Sequence, residues 1–345
     1  METMLELHGL KKNFKRPDGT IVEAVKGIDL EVHKGEIFSL LGPNGAGKTT
    51  TISMISGLLE PTEGDAIIGG YSIRQSPIQA KALMGVVPQE IALYPTLTAR
   101  QNLEFFGRMY GLSGRELAKQ VDLVLDFIDL RDRQKDKINT FSGGMKRRVN
   151  IGIGLLHHPQ LLYMDEPTVG IDPQSRRRIL DTVLQLRDEL GMTVLYTTHL
   201  MEEAEELSDR VGIIDHGKII AMGTQGELTL MVGEEDRLLC KVASTDLPEA
   251  VIERIKNDVE GVTAVDFEQR DGHRTSADVE PTETGTVRAV RPEGLITIHA
   301  KRGRKALPRV LEILIGQGIE VQSVEIREPD LEAVFLHLTG RELRD

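Results

Sequence analysis

The sequence predicts an α/β protein built on a mostly parallel sheet and followed by a smaller α+β unit. Three observations carry this. IFSLL at 37–41, LLYMD at 161–165 and TVLYTT at 193–198 are continuous apolar runs with the composition of strands buried on both faces. Helix-period segments lie between them, and strands alternating with helices imply a parallel sheet with helices on its faces. Past about residue 226 the order becomes strand, helix, strand, strand, helix, strand.

In chain order, LELHGLKKNF and TIVEAVKGIDLEV flank RPDGT, whose Pro, Asp and Gly make a turn, so the chain opens on two strands. IFSLL leads into a glycine-rich loop and the helix KTTTISMISGLL. Short strands are expected at 65–68, between PTEG and GG, and at GVV, 85–87. Residues 90–158 are helix-rich without an evident strand and suggest a separate lobe. Within them Ser113 and Glu116 have the spacing of a capping box for a helix running to Asp129. Asp172 and Pro173 read as the N-cap and first residue of a helix that stops at Gly191.

MGTQGELTLMVGEEDR reads as a polar linker and divides the chain into domains 1–226 and 227–345. In the second domain, strands at 237–242, 262–268, 295–300 and 319–326 alternate with helices at 247–257 and 305–317 in the split ferredoxin-like order. The long polar connection RDGHRTSADVEPTETGTVRAVRPEG is expected to be mobile. Glu320, Gln322 and Glu325 fall among the apolar positions of the last strand, so one sheet face is expected to be partly wet. The closing DLEAVFLHLTG offers Leu331, Val334, Phe335 and Leu338 as one apolar stripe. It is expected to dock on the first domain or on a dimer mate, or else to complete its own domain's core.

The bulk numbers exclude some functions. At 345 residues and 40% apolar the chain can bury two or three ordinary cores. A formal charge of −12 disfavours a nucleic-acid partner. The single cysteine, Cys240, rules out an internal disulfide. METMLELHGLKK has no apolar core of a signal peptide. Apolar runs fall short of the roughly 18 residues a membrane span needs, so work at a membrane would require another chain to cross it.

GPNGAGKT at 42–49 matches G-x-x-x-x-G-K-[ST] between a buried strand and a helix, which is the context of a phosphate-binding loop. Gly42, Gly45 and Gly47 let the backbone wrap phosphates, with Pro43, Asn44, Ala46 and Thr50 completing the loop. Helix-start N–H groups supply positive potential. Lys48 is placed to reach the β- and γ-phosphates and Thr49 to ligate Mg²⁺. LLYMDEP ends a buried strand in two carboxylates at the edge where open α/β sheets bind ligands. Asp165 suits the metal shell, and Glu166 could orient or polarise a water. Alone they would read equally well as capping acids in a loop. FSGGMKRR is a second helix start suited to an anion, with Ser142, Gly143 and Gly144 before a basic triplet. Gln89, His199 and Phe14 are weaker. Taken singly, they are an exposed glutamine, a core histidine and ordinary packing, or site residues.

The joint order of Phe14, GPNGAGKTT, Gln89, FSGGM, LLYMDEP, VGID and TTH over about residues 4–226 resembles the ATP-binding-cassette ATPases. The resemblance implies a P-loop cassette with a mixed sheet, an antiparallel β lobe and a helical lobe at about 90–158, using ATP and Mg²⁺. It implies that Phe14 stacks on adenine and that Gln89 senses the metal ion and the partner subunit. It also implies that His199 contacts the γ-phosphate, beside Glu166 and Lys48, and that Asp172 makes an inter-subunit contact. Ser142, Gly143 and Gly144 would bind the γ-phosphate held by the opposite cassette, in a head-to-tail homodimer sandwiching two ATPs. Phe141 and Met145 depart from the commonest LSGGQ pattern. Met145 cannot make the hydrogen bonds of a glutamine amide, while the serine and glycine backbone contacts remain.

IALYPTLTARQNLEFFGRMYGL, TTHLMEEAEELSDRVGIIDHGKIIAMGT and EPDLEAVFLHLTGRE look like the ATP-binding subunits of daunorubicin-type drug-resistance exporters of the ABC-2 type, encoded apart from their permease. That implies a cytoplasmic protein, peripheral on the inner face of the cell membrane. Tyr94, Phe105, Phe106 and Tyr110 then form the groove for the permease's coupling helix, or else pack the lobe's own core. Two alternatives compete. An importer ATPase with a ligand-binding regulatory C-terminal domain is disfavoured by the tail. A non-transport ATPase acting on DNA or the ribosome is disfavoured by the single cassette, the acidity, and a Gln89-to-Ser142 spacing of 142 − 89 = 53 residues without a heptad run.

Overall fold

The computed structural model describes residues 2–232, 236–244, 246–270, 293–327 and 330–340. The chain divides into two compact units, one of residues up to 228 with the segment from 335, the other of residues 229–334.

The first unit runs β1 (Thr3–Lys15), β2 (Ile21–His33), β3 (Ile37–Leu41), α1 (Lys48–Ile55), β4 (Glu63–Ile68), β5 (Tyr71–Ser72), α2 (Pro77–Ala82) and β6 (Met84–Val87). It continues with α3 (Ala99–Met109), α4 (Gly114–Phe127), α5 (Gly143–Leu155), β7 (Leu161–Asp165), α6 (Pro173–Leu190), β8 (Thr193–Thr198), α7 (Met201–Leu207), β9 (Arg210–Asp215) and β10 (Lys218–Gly223). α8 (Gln225–Val232) carries the chain past residue 228. β1, β2, β4 and β5 form an antiparallel sheet in the order β2-β1-β4-β5. The central sheet has the order β10-β9-β3-β8-β7-β6, parallel except for β10. Every residue of β3, β7 and β8 is buried, as continuous apolar strands require. α3, α4 and α5 form the helical lobe around Leu103, Val121, Val124, Leu125 and Val149.

Two local expectations are corrected. Ser113 precedes α4 but its hydroxyl caps nothing, because Gly114 follows at φ +54 and takes the backbone out of helical geometry. The capping box of this lobe belongs to Thr98 and Gln101. The segment expected to be a linker is helical from Gln225, since Thr224 and Glu227 cap each other's backbone N–H groups at 2.8 and 3.2 Å.

The second unit holds β11 (Asp236–Val242), α9 (Glu249–Asp258), β12 (Val262–Arg270), β13 (Glu293–Ala300), α10 (Gly303–Gly316) and β14 (Val321–Arg327). Its sheet is antiparallel in the order β12-β13-β11-β14, the ferredoxin-like arrangement. Leu238, Cys240, Ile296 and Ile298 pack with Val251 and Ile255 of α9 and Val310 and Leu314 of α10. Cys240 is fully buried, which pushes its thiol up to about 11. Glu320, Gln322 and Glu325 are exposed. The connection expected to be mobile lies, over 271–292, outside the described residues. In α11 (Leu331–Thr339), Leu331, Val334 and Phe335 are buried, but Leu338 is 37% exposed, so the apolar stripe is one turn shorter than its spacing suggests.

Candidate functional site

The site is built at the C-terminal edge of the central sheet. β3 ends at Leu41, and the loop to α1 turns under β9 so closely that a Cβ on Gly42 would lie 2.2 Å from the Ile214 carbonyl oxygen. Gly47, at φ +110, begins α1 with the Ala24 carbonyl 2.8 Å from where its Cβ would be. Only glycine fits either place. The result is a cavity of about 160 Å³ lined by Ala24, Asn44, Gly45, Gly47, Lys48, Thr49, Thr50, Gln89 and Glu166.

Lys48 is buried in this cavity. Its Nζ donates to the carbonyls of Gly42 at 2.6 Å and Pro43 at 3.1 Å and lies 2.9 Å from Glu166 Oε1. Glu166 Oε1 also lies 3.5 Å from His199 Nδ1, while Oε2 accepts from Gln89 Nε2 at 3.3 Å. One carboxylate thus gathers three separate motifs, from α1, from the loop after β6 and from the end of β8. Glu166 itself is at φ +42, a left-handed conformation that side chains other than glycine disfavour.

Thr49 Oγ1 and Asp165 Oδ1 are 3.3 Å apart. Two hard oxygens converging beside a phosphate-sized cradle fit a magnesium ion, which keeps several waters and takes few protein ligands. Thr197, not singled out in the sequence, organises the acidic pair: its hydroxyl donates to Asp165 Oδ1 at 2.7 Å and accepts from the Glu166 amide at 3.0 Å. Glu203 of α7 is another residue missed. It is 2% exposed and accepts from the Tyr196 phenol at 3.0 Å and the Thr198 hydroxyl at 2.8 Å, fixing the strand end that carries His199. Burial and this neighbouring carboxylate push the Tyr196 phenol well above its ordinary range.

The remaining expected residues lie away from the cavity lining. Phe14 is 40% exposed on β1 opposite Val22, with Lys12 Nζ 5.4 Å from its ring centre. Ser142 is the N-cap of α5 and accepts from the Met145 amide at 3.3 Å. Asp172 caps α6 through the Ser175 amide at 2.9 Å, which holds its carboxyl below the usual range. The two helix starts abut. A Cβ on Gly144 would lie 2.3 Å from Ser175 Cβ, whereas Gly143 is exposed and has only Ile171 Cδ1 near, at 3.4 Å. Arg148 of the basic triplet is buried and donates to the carbonyls of Ile128 and Asp129, closing the C-terminus of α4.

In the helical lobe Tyr94, Phe105 and Phe106 form a cluster with ring centres 4.9 to 6.1 Å apart, and Tyr110 stacks on His157 at 4.2 Å. Tyr94, Phe105 and Tyr110 are exposed; Phe106 packs against the core. Among the described residues, no helix is long and apolar enough to cross a membrane.

A protein-family model described as ABC transporter matches residues 25–169. Across its whole length the chain is similar to the linearmycin resistance ATP-binding protein LnrL of Bacillus subtilis (strain 168), with 47% identity over 99% of this chain and 100% of that protein. The daunorubicin/doxorubicin resistance ATP-binding protein DrrA of Streptomyces peucetius is 36% identical over 99% and 94%. Among solved structures, a dimeric ATP-binding cassette in a post-hydrolysis state, bound to ADP and Pi, shares 29% identity and a TM-score of 0.58, covering 64% of this chain and 98% of that one. A lysine-bearing phosphate cradle, an acidic pair at a strand end and whole-chain likeness to resistance ATP-binding proteins agree: the chain belongs to the ATP-binding subunits of ABC transporters, in the drug-resistance exporter group, and is an ATPase.

Proposed function

We propose that two copies of the chain close head to tail on two ATP molecules and power export through a separate membrane permease. The observation that carries this is the separation, within one chain, of two anion-ready helix starts. The Gly42–Thr50 loop surrounds the cavity with Lys48, whereas Ser142 and Gly143 are exposed and outside it. Each chain therefore offers one complete cradle and one half-site for a partner's phosphate.

In this reading the loop N–H groups and Lys48 bind the triphosphate, drawing the Lys48 ammonium from Glu166. Thr49 and Asp165 would hold Mg²⁺, with Gln89 beside them, and such an ion would neutralise phosphate charge. Glu166, released from Lys48, orients the water that attacks the γ-phosphate to give ADP and phosphate. Gln89 and His199 fix its carboxylate from either side. Phe14 stacks on adenine, and Asp172 meets the partner chain beside Gly144.

The exposed Tyr94, Phe105 and Tyr110 support a permease contact on the helical lobe, which would place the subunit on the inner membrane face. Residues 227–345, with a core of their own, are read as an accessory and dimerisation domain. Relatives similar over their whole length are named for linearmycin resistance, for doxorubicin resistance and, in Cupriavidus metallidurans, for Nod factor export. Cargo that varies while the ATPase stays alike is chosen by the permease. These names favour export over the importer alternative.

Glu166→Gln keeps size and loses charge. ATP binding should persist, turnover should fall roughly 100-fold or more, and dimers should accumulate with ATP. Phosphate release and sedimentation of the purified full chain measure this. Near-wild-type turnover would remove Glu166 from the role.

A further inference from the structure

The basic triplet Lys146-Arg147-Arg148 follows the helix start at Ser142, yet Arg147 turns away from it. Arg147 is 3% exposed and makes no ion pair among the described residues. Its Nη1 donates to the Pro88 carbonyl and its Nη2 to the Gln89 carbonyl, so one guanidinium fork grips both peptide groups flanking the Gln89 Cα. Its buried Nε has no hydrogen-bond partner. Burying a charge is costly when no carboxylate pairs with it directly and Asp165 acts on it only at a distance, and packing alone would be better served by an apolar side chain. What the charged fork adds is a two-point hold on main chain that an ammonium on a flexible stem cannot copy.

The rest of α5 lies along the same segment. Arg147, Asn150 and Gly154, at i, i+3 and i+7, share one helix face. Asn150 Nδ2 donates to the Glu90 carbonyl at 3.4 Å. The Gly154 carbonyl approaches β6 so closely that a Cβ on Gly85 would lie 2.2 Å from it. β6 and residues 88–90 are thus fastened to the helix whose N-terminus is Ser142–Gly144. At the other end of the same short path, Gln89 Nε2 reaches Glu166 Oε2.

We propose that Arg147 is a positioning residue that locks the Gln89 main chain to α5, so that a partner's nucleotide engaging the start of α5 sets the aim of Gln89 at Glu166 in this chain's own site. The two sites of a dimer would then be mechanically linked through each chain. The inference rests on the roles given above to Gln89 and to Ser142–Gly144.

The test uses Arg147→Lys in the purified full chain, with kcat and KM for ATP measured alone and combined with Gln89→Ala. Arg147→Lys should lower kcat roughly 10-fold, as loss of aim does, with KM changed less than about 2-fold. Arg147→Gln, which drops the buried charge and keeps a donor, should give the same pattern. Because Arg147 acts through Gln89, the double variant should be no slower than Gln89→Ala alone. A double variant slower by the product of the two single losses would overturn the inference while leaving Gln89 in the site. So would variants that lower only thermal stability, or that change KM and kcat together. Unchanged turnover in Gln89→Ala would instead sink the underlying reading of Gln89, and the inference with it.

Discussion

The helix starts at Lys48 and at Gly143 are made from similar material, glycines at the N-terminus of a helix. They differ in what the fold sends to meet them. α1 begins at the edge of the central sheet, where β7 delivers Asp165 and Glu166, and its own second residue faces them. α5 begins on the helical lobe, where its neighbour is the N-terminus of α6 and its arginines point back into the protein. A helix dipole and amide groups suffice to receive an anion; handling one chemically takes side-chain charges as well, here Lys48 from α1 itself and carboxylates that a second element brings. The first start is a full cradle because its own Lys48 meets carboxylates that sheet position supplies; the second has neither.

The sharpest way to break this contrast is to strip the first start of its lysine. Lys48→Ala also leaves the Glu166 carboxylate without its ammonium partner beside the phosphates, so nucleotide affinity of the isolated chain should fall roughly 30-fold or more, from a loss of at least about 2 kcal/mol. Equilibrium binding measures it. If affinity stays near wild type, the cradle binds by backbone alone and the two starts are not different in kind.

A carboxylate on the second start should have the opposite profile. Gly143→Asp should leave ATP binding by monomers within about 2-fold and lower turnover roughly 10-fold or more, because like charges meet only when two chains close. Loss of binding by monomers would place that start in the chain's own site. Sequence alone would suggest Gly144 for this substitution, but there any side chain meets Ser175.

Gly144→Ala therefore asks a third question, about folding. The clash should cost about 1–3 kcal/mol in denaturant unfolding. Ser175→Gly should recover part of it, an unfavourable interaction between neighbours that a double-mutant cycle detects. Equal losses in both backgrounds would mean that the abutting helix starts relax apart.

The smallest effect lies at the back of the lobe that carries the second start. His157 hydrogen-bonds the Met84 carbonyl through Nε2 at 2.8 Å, and burial lowers its pKa below 6.5. The folded state therefore favours the neutral ring. The stability this gives is present above about pH 6.5 and is lost as pH falls below it, where the unfolded chain binds the proton more readily. The melting temperature of wild type should drop relative to His157→Gln on acidification; parallel curves would show that His157 takes up its proton without cost.

The motifs of the site were legible because each carries its chemistry locally: a lysine in a glycine loop, two acids ending an apolar strand. What closes the site was not. Thr197 and Glu203 act only because β8 lies beside β7 and β3, and Glu203 sits among Glu202, Glu205 and Glu206 with no local mark of which acid turns inward. In the fold, β9 and β10 escaped notice although His216 and Gly217, at φ +47 and +78, make the tight turn of a hairpin. Capping boxes misled in both directions. The Ser113 spacing is right but Gly114 after it leaves helical geometry, and Thr224 capped a helix inside what read as a polar linker.

The burial of Cys240 has a practical consequence. With its thiol near 11, roughly one molecule in ten thousand would carry a thiolate at pH 7, inside a core that reagents do not reach. The natural chain is therefore already a blank background for cysteine labelling. A single introduced thiol, at exposed Ser142 for example, would carry a probe alone, and the approach of two helix starts from different chains becomes a distance that can be read without first removing a native cysteine.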